Sequence, residues 1–580
     1  MKFKELTNYF AELEKTASRN KITEILAELF AKSEASEIDQ ICYLSLGRLA
    51  PLYEGVEFNL AEKMMIKALT RAYGQPEVEV KKKFKQLGDL GDVAAFFDKK
   101  EKAKPMSVSQ AYEVLYNIAI NSGEGSVERK ISKMAKLLDD LDGQSAKYAV
   151  RIPLGRLRLG FSDLTILDAL SWLIAGDKSK RKEIEAAYNV QTNIGLIAKI
   201  IKTKGISNLK KIGVSLDTPV LPALCQRLAN AEEMIKKMGQ VAVEPKYDGQ
   251  RLQIHFGVKD KKPVRIFTRN LENVSQMFPD IAAALEKEVK AKRVILDGEA
   301  IGFDPKTGKF LPFQETIKRK RKYQIGEKAK EIPLKFFCFD ILYKDGKNLI
   351  KLPFAQRRKI LEKILSTANK TIVLSPQIVT DSPAKLREYH HEQIKKGLEG
   401  VVVKKWQAGY DSGRRGFTWV KFKQEKSKKG GGLVDTLDCV VLGFYRGRGR
   451  RAGFGIGMIL VGVRKPHFAK ASRGEGEFLT ITKVGTGPSD DQWREIHRRC
   501  EKIKTGKQPK QYSVDKNLIP DVWCLPKLVV EIQADNITKS PIHTAKYALR
   551  FPRWLRFRDD KSAFQATTLK ETEKLYKLQK

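Results

Sequence analysis

Cysteine is scarce and scattered. Six thiols (Cys42, Cys225, Cys338, Cys439, Cys500 and Cys524) occur in 580 residues, and no two stand at a Cys-x-x-Cys spacing. That speaks against a zinc ribbon or a disulfide framework and predicts mostly buried thiols in a reducing compartment. Histidine is equally scarce, six in all, so imidazole-based acid–base chemistry is not expected. No apolar run approaches the roughly 18 residues that cross a bilayer, and the mean hydropathy is −0.39. The N-terminal MKFKELTNYFAELEK has neither the apolar stretch nor the small-residue cleavage site of a secretory leader, so an intracellular protein without membrane attachment is expected. Negative charge is the other shortage. With 69 Asp+Glu against 109 Lys+Arg, the formal net charge is +40. Self-repulsion on that scale favours a polyanionic partner, usually nucleic acid; a lysine-rich chain with solvated basic faces is the plainer alternative.

A chain of this length exceeds one hydrophobic core, and three or four domains are expected. The first stretch reads as helical. Ile22, Ile25, Leu26, Leu29 and Phe30 share one face, as do Ile131, Met134, Leu138 and Leu141, and Ser162 or Asp163 is a plausible N-cap for the segment that follows. GVSLDTPVLPAL, with two prolines, breaks that rhythm. Beyond it the pattern is of short strands. In QRLQIHF, Arg251, Gln253 and His255 alternate with Leu252, Ile254 and Phe256, predicting an α+β domain on antiparallel sheets. The charged, glycine-rich QEKSKKGGGLVD precedes a run of short strands that suggests a small barrel such as an OB-fold. The expected organisation is therefore an all-α domain over 1–214, an α+β domain over 215–427 and an all-β barrel with a C-terminal tail over 428–580.

The string EPKYDGQR, 244–251, places Lys246 beside an Asp-Gly turn at the end of a strand. Such a lysine can present its amine into a cleft, and as a nucleophile it needs cationic neighbours or desolvation to shed its proton. It can equally be an ordinary lysine before a hairpin. Partner strings follow in order: FTRN with Arg269, LDGEAIGF with Glu299, FCFDILY with Phe339 and Asp340, EGVVVKK with Glu399 and Lys404, WVKFK with Lys421 and Lys423 on one strand face, and RFPRWLRFRDDK with Arg556, Arg558, Asp560 and Lys561. Taken singly, a strand glutamate can simply pair with a lysine, and Phe339 in an apolar strand can be core.

In this order the chain resembles the covalent nucleotidyltransferases, and within them the ATP-dependent DNA ligases of archaeal and eukaryotic replicative type. The resemblance spans nearly the whole chain: GSVERKISKMAKLL and KYAVRIPLGRLRLGFSDLTILDAL resemble that family's helical DNA-binding domain, and LRFPRWLRFRDDKSAFQATT its signature near the end of the OB domain. It implies sealing of nicked duplex DNA in replication, repair or recombination, with ATP and Mg²⁺ (Mn²⁺ as substitute), by a monomer of the cytoplasm or nucleoid, a sliding clamp being a possible partner. Lys246 would attack the α-phosphorus of ATP and carry AMP. Lys421 and Lys423 would hold the α-phosphate, and Glu244 would accept from the adenine amino group while Phe339 stacks on the ring. Arg251 and Glu299 would contact the ribose or nick phosphate, with Arg269 part of the nucleotide site, and Glu299 and Glu399 would stand near the metal. Arg556, Arg558 and Lys561 would orient the departing pyrophosphate.

For DNA, Arg151, Arg156 and Arg158 in RIPLGRLRLG, and Lys318, Arg319, Lys320 and Arg321 in the basic run, are the candidate phosphate contacts. An RNA ligase or a capping guanylyltransferase is the nearest rival. The long helical domain and RFPRWLRFRDDKSAFQATT argue against both. A catalytically silent nick-binding scaffold would be expected to lack the nucleophile or the acidic pair, and both are present.

Overall fold

The computed structural model describes residues 1–98, 104–228, 230–257, 264–311, 313–319, 325–413, 415–423, 436–447, 449–465 and 478–578. The chain divides into two compact units, 1–157 with 162–424 and 158–161 with 425–580. No helix among the described residues is long and apolar enough to cross a membrane. All six thiols are free, and all but Cys225 are buried.

The N-terminal part of the first unit is helical, from Phe3–Lys15 to Ile194–Lys204. Ile22, Ile25, Leu26, Leu29 and Phe30 form the buried face of the helix Arg19–Lys32, capped by the Ser18 side chain. Ile131, Met134 and Leu138 do the same for Ser126–Asp140. The helix Asp163–Ala175 starts where its sequence suggests, but Ser162 makes no capping bond. Asp163 turns instead to Arg48 and to the Tyr188 hydroxyl.

The rest of that unit is built on strands β1 (Leu224–Arg227), β2 (Val241–Pro245), β3 (Gln250–Phe256), β4 (Val264–Thr268), β5 (Val294–Gly302), β6 (Leu334–Lys344), β7 (Lys347–Asn348), β8 (Ile372–Leu374), β9 (Ile378–Thr380), β10 (Gly400–Lys405) and β11 (Arg415–Lys423). One sheet has the order β1-β11-β10-β2-β9; the other has β4-β3-β5-β6-β7, with β8 beside β6. Pairing is antiparallel except for β1–β11 and β6–β8. Alternation sorts the side chains. In the first sheet Val241, Val243, Val401, Val403, Val420 and Phe422 join a core with Met234, Met238 and Leu386 from the helices Ala231–Met238 and Pro383–Lys395. Glu244, Val402, Lys404, Trp419 and Lys421 therefore share the opposite face. In the second sheet Leu252 and Ile254 pack with Leu296, Phe336 and Leu361, as the alternation in QRLQIHF predicts. Arg251, Glu299 and Phe337 lie opposite one another across β3, β5 and β6. A cluster of Phe339, Val402, Tyr410 and Trp419 joins the two faces.

The second unit is a sheet domain. Leu437–Tyr445, Met458–Arg464 and Phe478–Val484 pair antiparallel in succession; Val529–Gln533 lies on the other side of Leu437–Tyr445 and carries Arg553–Phe557. The helix Asp490–Lys502 buries Trp493, Ile496 and Cys500 in the core of this sheet.

Two arginines expected on a DNA surface are interior. Arg151 is 1% exposed. Its guanidinium meets Asp89 at 2.9 Å, Glu14 at 2.8 Å and Asp92 at 3.2 Å, tying together the helices Phe3–Lys15, Leu90–Phe97 and Gly143–Arg151. Arg319 is buried against Phe278 and pairs with Asp280. Both are too enclosed to reach a phosphate, and Arg151 is in addition matched by three carboxylates. Arg151→Met should leave the buried Asp89 carboxylate without its cation, Lys147 remaining beside Glu14 and Asp92, and lower unfolding stability by about 3 kcal/mol. Denaturant unfolding measures this, and a loss below about 1 kcal/mol would show that the cluster does not hold the helices together.

Candidate active site

Lys246 stands in the turn between β2 and β3, and two glycines let that turn close. A Cβ on Gly249 would lie 2.5 Å from the Ala300 carbonyl oxygen, so only glycine lets the turn approach β5. Gly400 sits at φ 131°, where a Cβ would lie 2.2 Å from the Phe422 carbonyl oxygen. Its own carbonyl accepts from Lys246 N at 2.9 Å. That bond sets Glu399 beside the turn, and the Lys246 ammonium pairs with Glu399 Oε2. Lys423 Nζ reaches the same carboxylate oxygen at 3.1 Å. The cationic surroundings expected to keep the Lys246 amine neutral are therefore only part of its setting, because its direct partner is an anion. Burial would raise the Glu399 carboxyl, but Lys246 and Lys423 outweigh it and hold the group below its ordinary value.

Across the cleft, Glu299 is pushed up to about 8, chiefly by burial; Arg251 and Lys246 oppose the shift, and Asp297 and Asp248 add to it. Arg251 is engaged by Asp297 at 2.7 Å and donates to the Ala223 carbonyl at 2.7 Å and the Tyr410 hydroxyl at 3.2 Å. At the inner end Glu244, 2% exposed, pairs through Oε2 with Lys404 Nζ at 2.8 Å. Lys404 also donates to the Phe339 carbonyl and lies 4.4 Å from the Phe339 and Trp419 ring centroids. Phe339 meets Trp419 edge-on, whereas Phe337, opposite Glu299, stacks on Tyr247 at 4.4 Å. A bulge between Asp297 and Gly298 separates the two phenylalanines' registers. Asp340 is fully buried in a two-bond pair with Arg357, at 2.8 and 3.0 Å, and is structural. Arg269 is exposed and borders a small recess with Arg251 and Asp297.

Residues 222–423, which carry all of this, match the family model described as ATP dependent DNA ligase domain. Residues 2–171 match DNA ligase N terminus, and 452–561 match ATP dependent DNA ligase C terminal region. The chain belongs to the ATP-dependent DNA ligases. It is 44% identical to a probable DNA ligase of Dictyoglomus thermophilum, over 100% of this chain and 98% of the relative. It is 37% identical to DNA ligase 1 of Methanosarcina mazei, over 99% of each. The solved structure Pmar-Lig_PreS3 shares the fold, with a TM-score of 0.54 over 95% of this chain and 99% of that one, at 18% identity.

The remaining sites expected in this ligase are dispersed. Within the second unit, Arg556 pairs with Glu531 at 2.6 Å, Arg558 with Asp438 at 2.8 Å and Asp560 at 2.7 Å, and Lys561 with Asp438 at 2.6 Å. Arg156 pairs with Glu62, Arg158 is exposed at φ 64°, and Lys318 pairs with Glu315 at 2.7 Å. Lys320 and Arg321 lie outside the described residues. Two residues that support the cleft escaped sequence reading. Arg357 and Arg358 look like the solvated side of the helix Phe354–Ile364, yet both are buried, Arg358 donating to the Ser375 carbonyl at 2.8 Å. No group of three or more His, Cys, Asp or Glu side chains that could hold a metal occurs among the described residues. Glu299 and Glu399 alone fit a hard divalent cation that keeps its waters and shares nucleotide phosphates, rather than a resident metal.

Were Glu299 a cation ligand it would have to ionise first, and its raised value puts that event near neutrality. Raising the pH removes its proton, so cation binding tightens up to about pH 8 and levels off above it. At limiting divalent cation, self-labelling with ATP should rise by up to about tenfold per pH unit below 8, and Glu299→Gln should flatten the profile. An apparent cation affinity constant from pH 6.5 to 8.5 would remove Glu299 from the metal site.

Proposed function

We propose that this ligase seals 5′-phosphate/3′-hydroxyl nicks in duplex DNA through an AMP carried on Lys246. The observation that supports this best is the meeting of Lys246, Glu399 and Lys423 at one mouth of a cleft whose other walls are Glu299 and Glu244. In the first transfer Lys246 gives up a proton to water, its Nζ lone pair attacks the α-phosphorus of ATP, pyrophosphate leaves with the bonding pair, and the nitrogen releases a second proton to water as the phosphoramidate forms. Lys421 and Lys423 offset the negative charge that builds on the phosphate. In the second, an oxygen of the nick 5′-phosphate attacks the adenylate phosphorus and the P–N bond breaks, returning the amine. In the third, the 3′-hydroxyl loses its proton and attacks the 5′-phosphorus, AMP departs, and the phosphodiester closes. Each step is an in-line displacement in which positioning and electrostatics supply most of the rate.

Magnesium, with manganese as substitute, supplies positive charge to the phosphates, and Glu299 and Glu399 would hold it. Glu244 accepts from the adenine amino group, Phe339 lies against the base, and Arg251 and Arg269 serve the ribose and phosphates. Arg556, Arg558 and Lys561, on a domain we assign to the OB-fold class, serve the first transfer by orienting pyrophosphate. Arg156, Arg158 and Lys318 are the remaining described candidates for backbone contacts. Such contacts carry no sequence information, as suits an enzyme that acts at any nick.

With α-labelled ATP, the wild type should acquire an acid-labile label that Lys246→Ala abolishes, while nicked-duplex binding changes by less than about twofold. Label persisting on the variant would identify a different nucleophile. Replacing Arg556, Arg558 and Lys561 together by alanine should slow self-labelling at least about tenfold more than sealing of pre-adenylated DNA. Equal losses in the two assays would take pyrophosphate orientation away from them.

A further inference from the structure

We propose that Gln377 is a second reader of the purine, working beside Glu244 so that each hydrogen of the adenine 6-amino group meets its own oxygen. The proposal rests on the cleft being an ATP site. β2 and β9 pair Val241 with Thr380, Ala242 with Val379 and Val243 with Ile378. The ladder ends there, at the first residue of β9, and continuing its register by one step would set Glu244 opposite Gln377. Val243 and Ile378 face the hydrophobic core; alternation turns Glu244 to the other side, which Lys404 shares, and the same alternation carried one residue beyond β9 would turn Gln377 there too.

Both residues carry a buried oxygen without a hydrogen-bond partner, Glu244 Oε1 and Gln377 Oε1. Glu244 cannot turn Oε1 elsewhere, because Lys404 holds its other oxygen at 2.8 Å. Arg358 stands 3.9 Å from Oε1, beyond hydrogen-bond reach, and uses the same Nη1 to donate to the Ser375 carbonyl at 2.8 Å. Ser375 N in turn donates to the Cys338 carbonyl at 2.9 Å. The segment that presents Gln377 is thus anchored to the helix Phe354–Ile364 and to β6, with Pro376 stiffening it. The Ser375 hydroxyl is also buried, with the Tyr247 hydroxyl as its polar neighbour. Buried polar groups are nearly always paired, so adjacent unpaired acceptors mark a place for a ligand bearing two hydrogens. A 6-amino group supplies both from one nitrogen. A 6-oxo purine would bring a third acceptor against two and be refused.

The test measures kcat/KM for self-labelling with α-labelled ATP and with α-labelled purine riboside triphosphate, which lacks the 6-amino group. Wild type should prefer ATP about a hundredfold, at roughly tenfold for each hydrogen bond to a buried acceptor. Gln377→Ala should cut that preference about tenfold, and Gln377→Glu, which keeps an acceptor, should restore most of it. Both nucleotides slowed alike, with the preference unchanged, would reduce Gln377 to a packing role and overturn the proposal. Gln377→Met, of similar shape without an acceptor, gives the same comparison should the alanine variant fold poorly. Wild type that takes no label from ATP would overturn the ligase reading together with this one, a result seen before any variant is made.

Discussion

Charges enclosed between two sheets must be matched, and the catalytic half of the first unit, whose sheets meet through an apolar cluster set among buried charges, is organised around that requirement. Arg251 is met by Asp297, Lys404 by Glu244, and Lys246 and Lys423 by one oxygen of Glu399. Behind the cleft, Arg357 and Asp340 complete the set. Pairs of this kind add little stability over an apolar pair of the same shape, yet removing one member is severe. Their consequence is geometric: each side chain has one place to be. Where matching is incomplete, at Glu299 and at Glu244 Oε1, the site has groups poised to receive something from outside.

The sequence reveals the strands and the helical faces well because their periodicities are local. Leu252 and Ile254 alternate with Arg251 and Gln253, and Ile22, Ile25 and Leu29 recur every third or fourth residue; burial follows both patterns. The cleft strings were legible because their order along the chain is that of a known family. Long-range pairing was not. Nothing near Lys246 announces that Glu399, 153 residues away, will bind it, since that contact depends on β10 lying beside β2 and on a glycine at φ 131°. The same blindness hid Gln377, which lies in no motif and gains its meaning only from the β2–β9 register.

Basic residues show the limit of counting. A net charge of +40 points to a polyanion, but it does not say which cations face it. Arg151 sits among apolar residues in a string that reads as a phosphate-binding loop, and the fold uses it to bind three helices through Asp89, Glu14 and Asp92. Arg319, in the middle of a basic run, is likewise interior while its neighbour Lys318 is half exposed. An arginine's long stem and five donors suit it to both fates, and only the surrounding carboxylates decide.

The pairing of Lys246 with Glu399 also bears on how such a protein survives in a cell full of activated acyl and phosphoryl compounds. An amine free in a cleft would be open to any of them. Held against the Glu399 carboxylate, the Lys246 nitrogen already has a close partner. Whatever engages that nitrogen has to compete with a carboxylate oxygen that Lys423 holds as well.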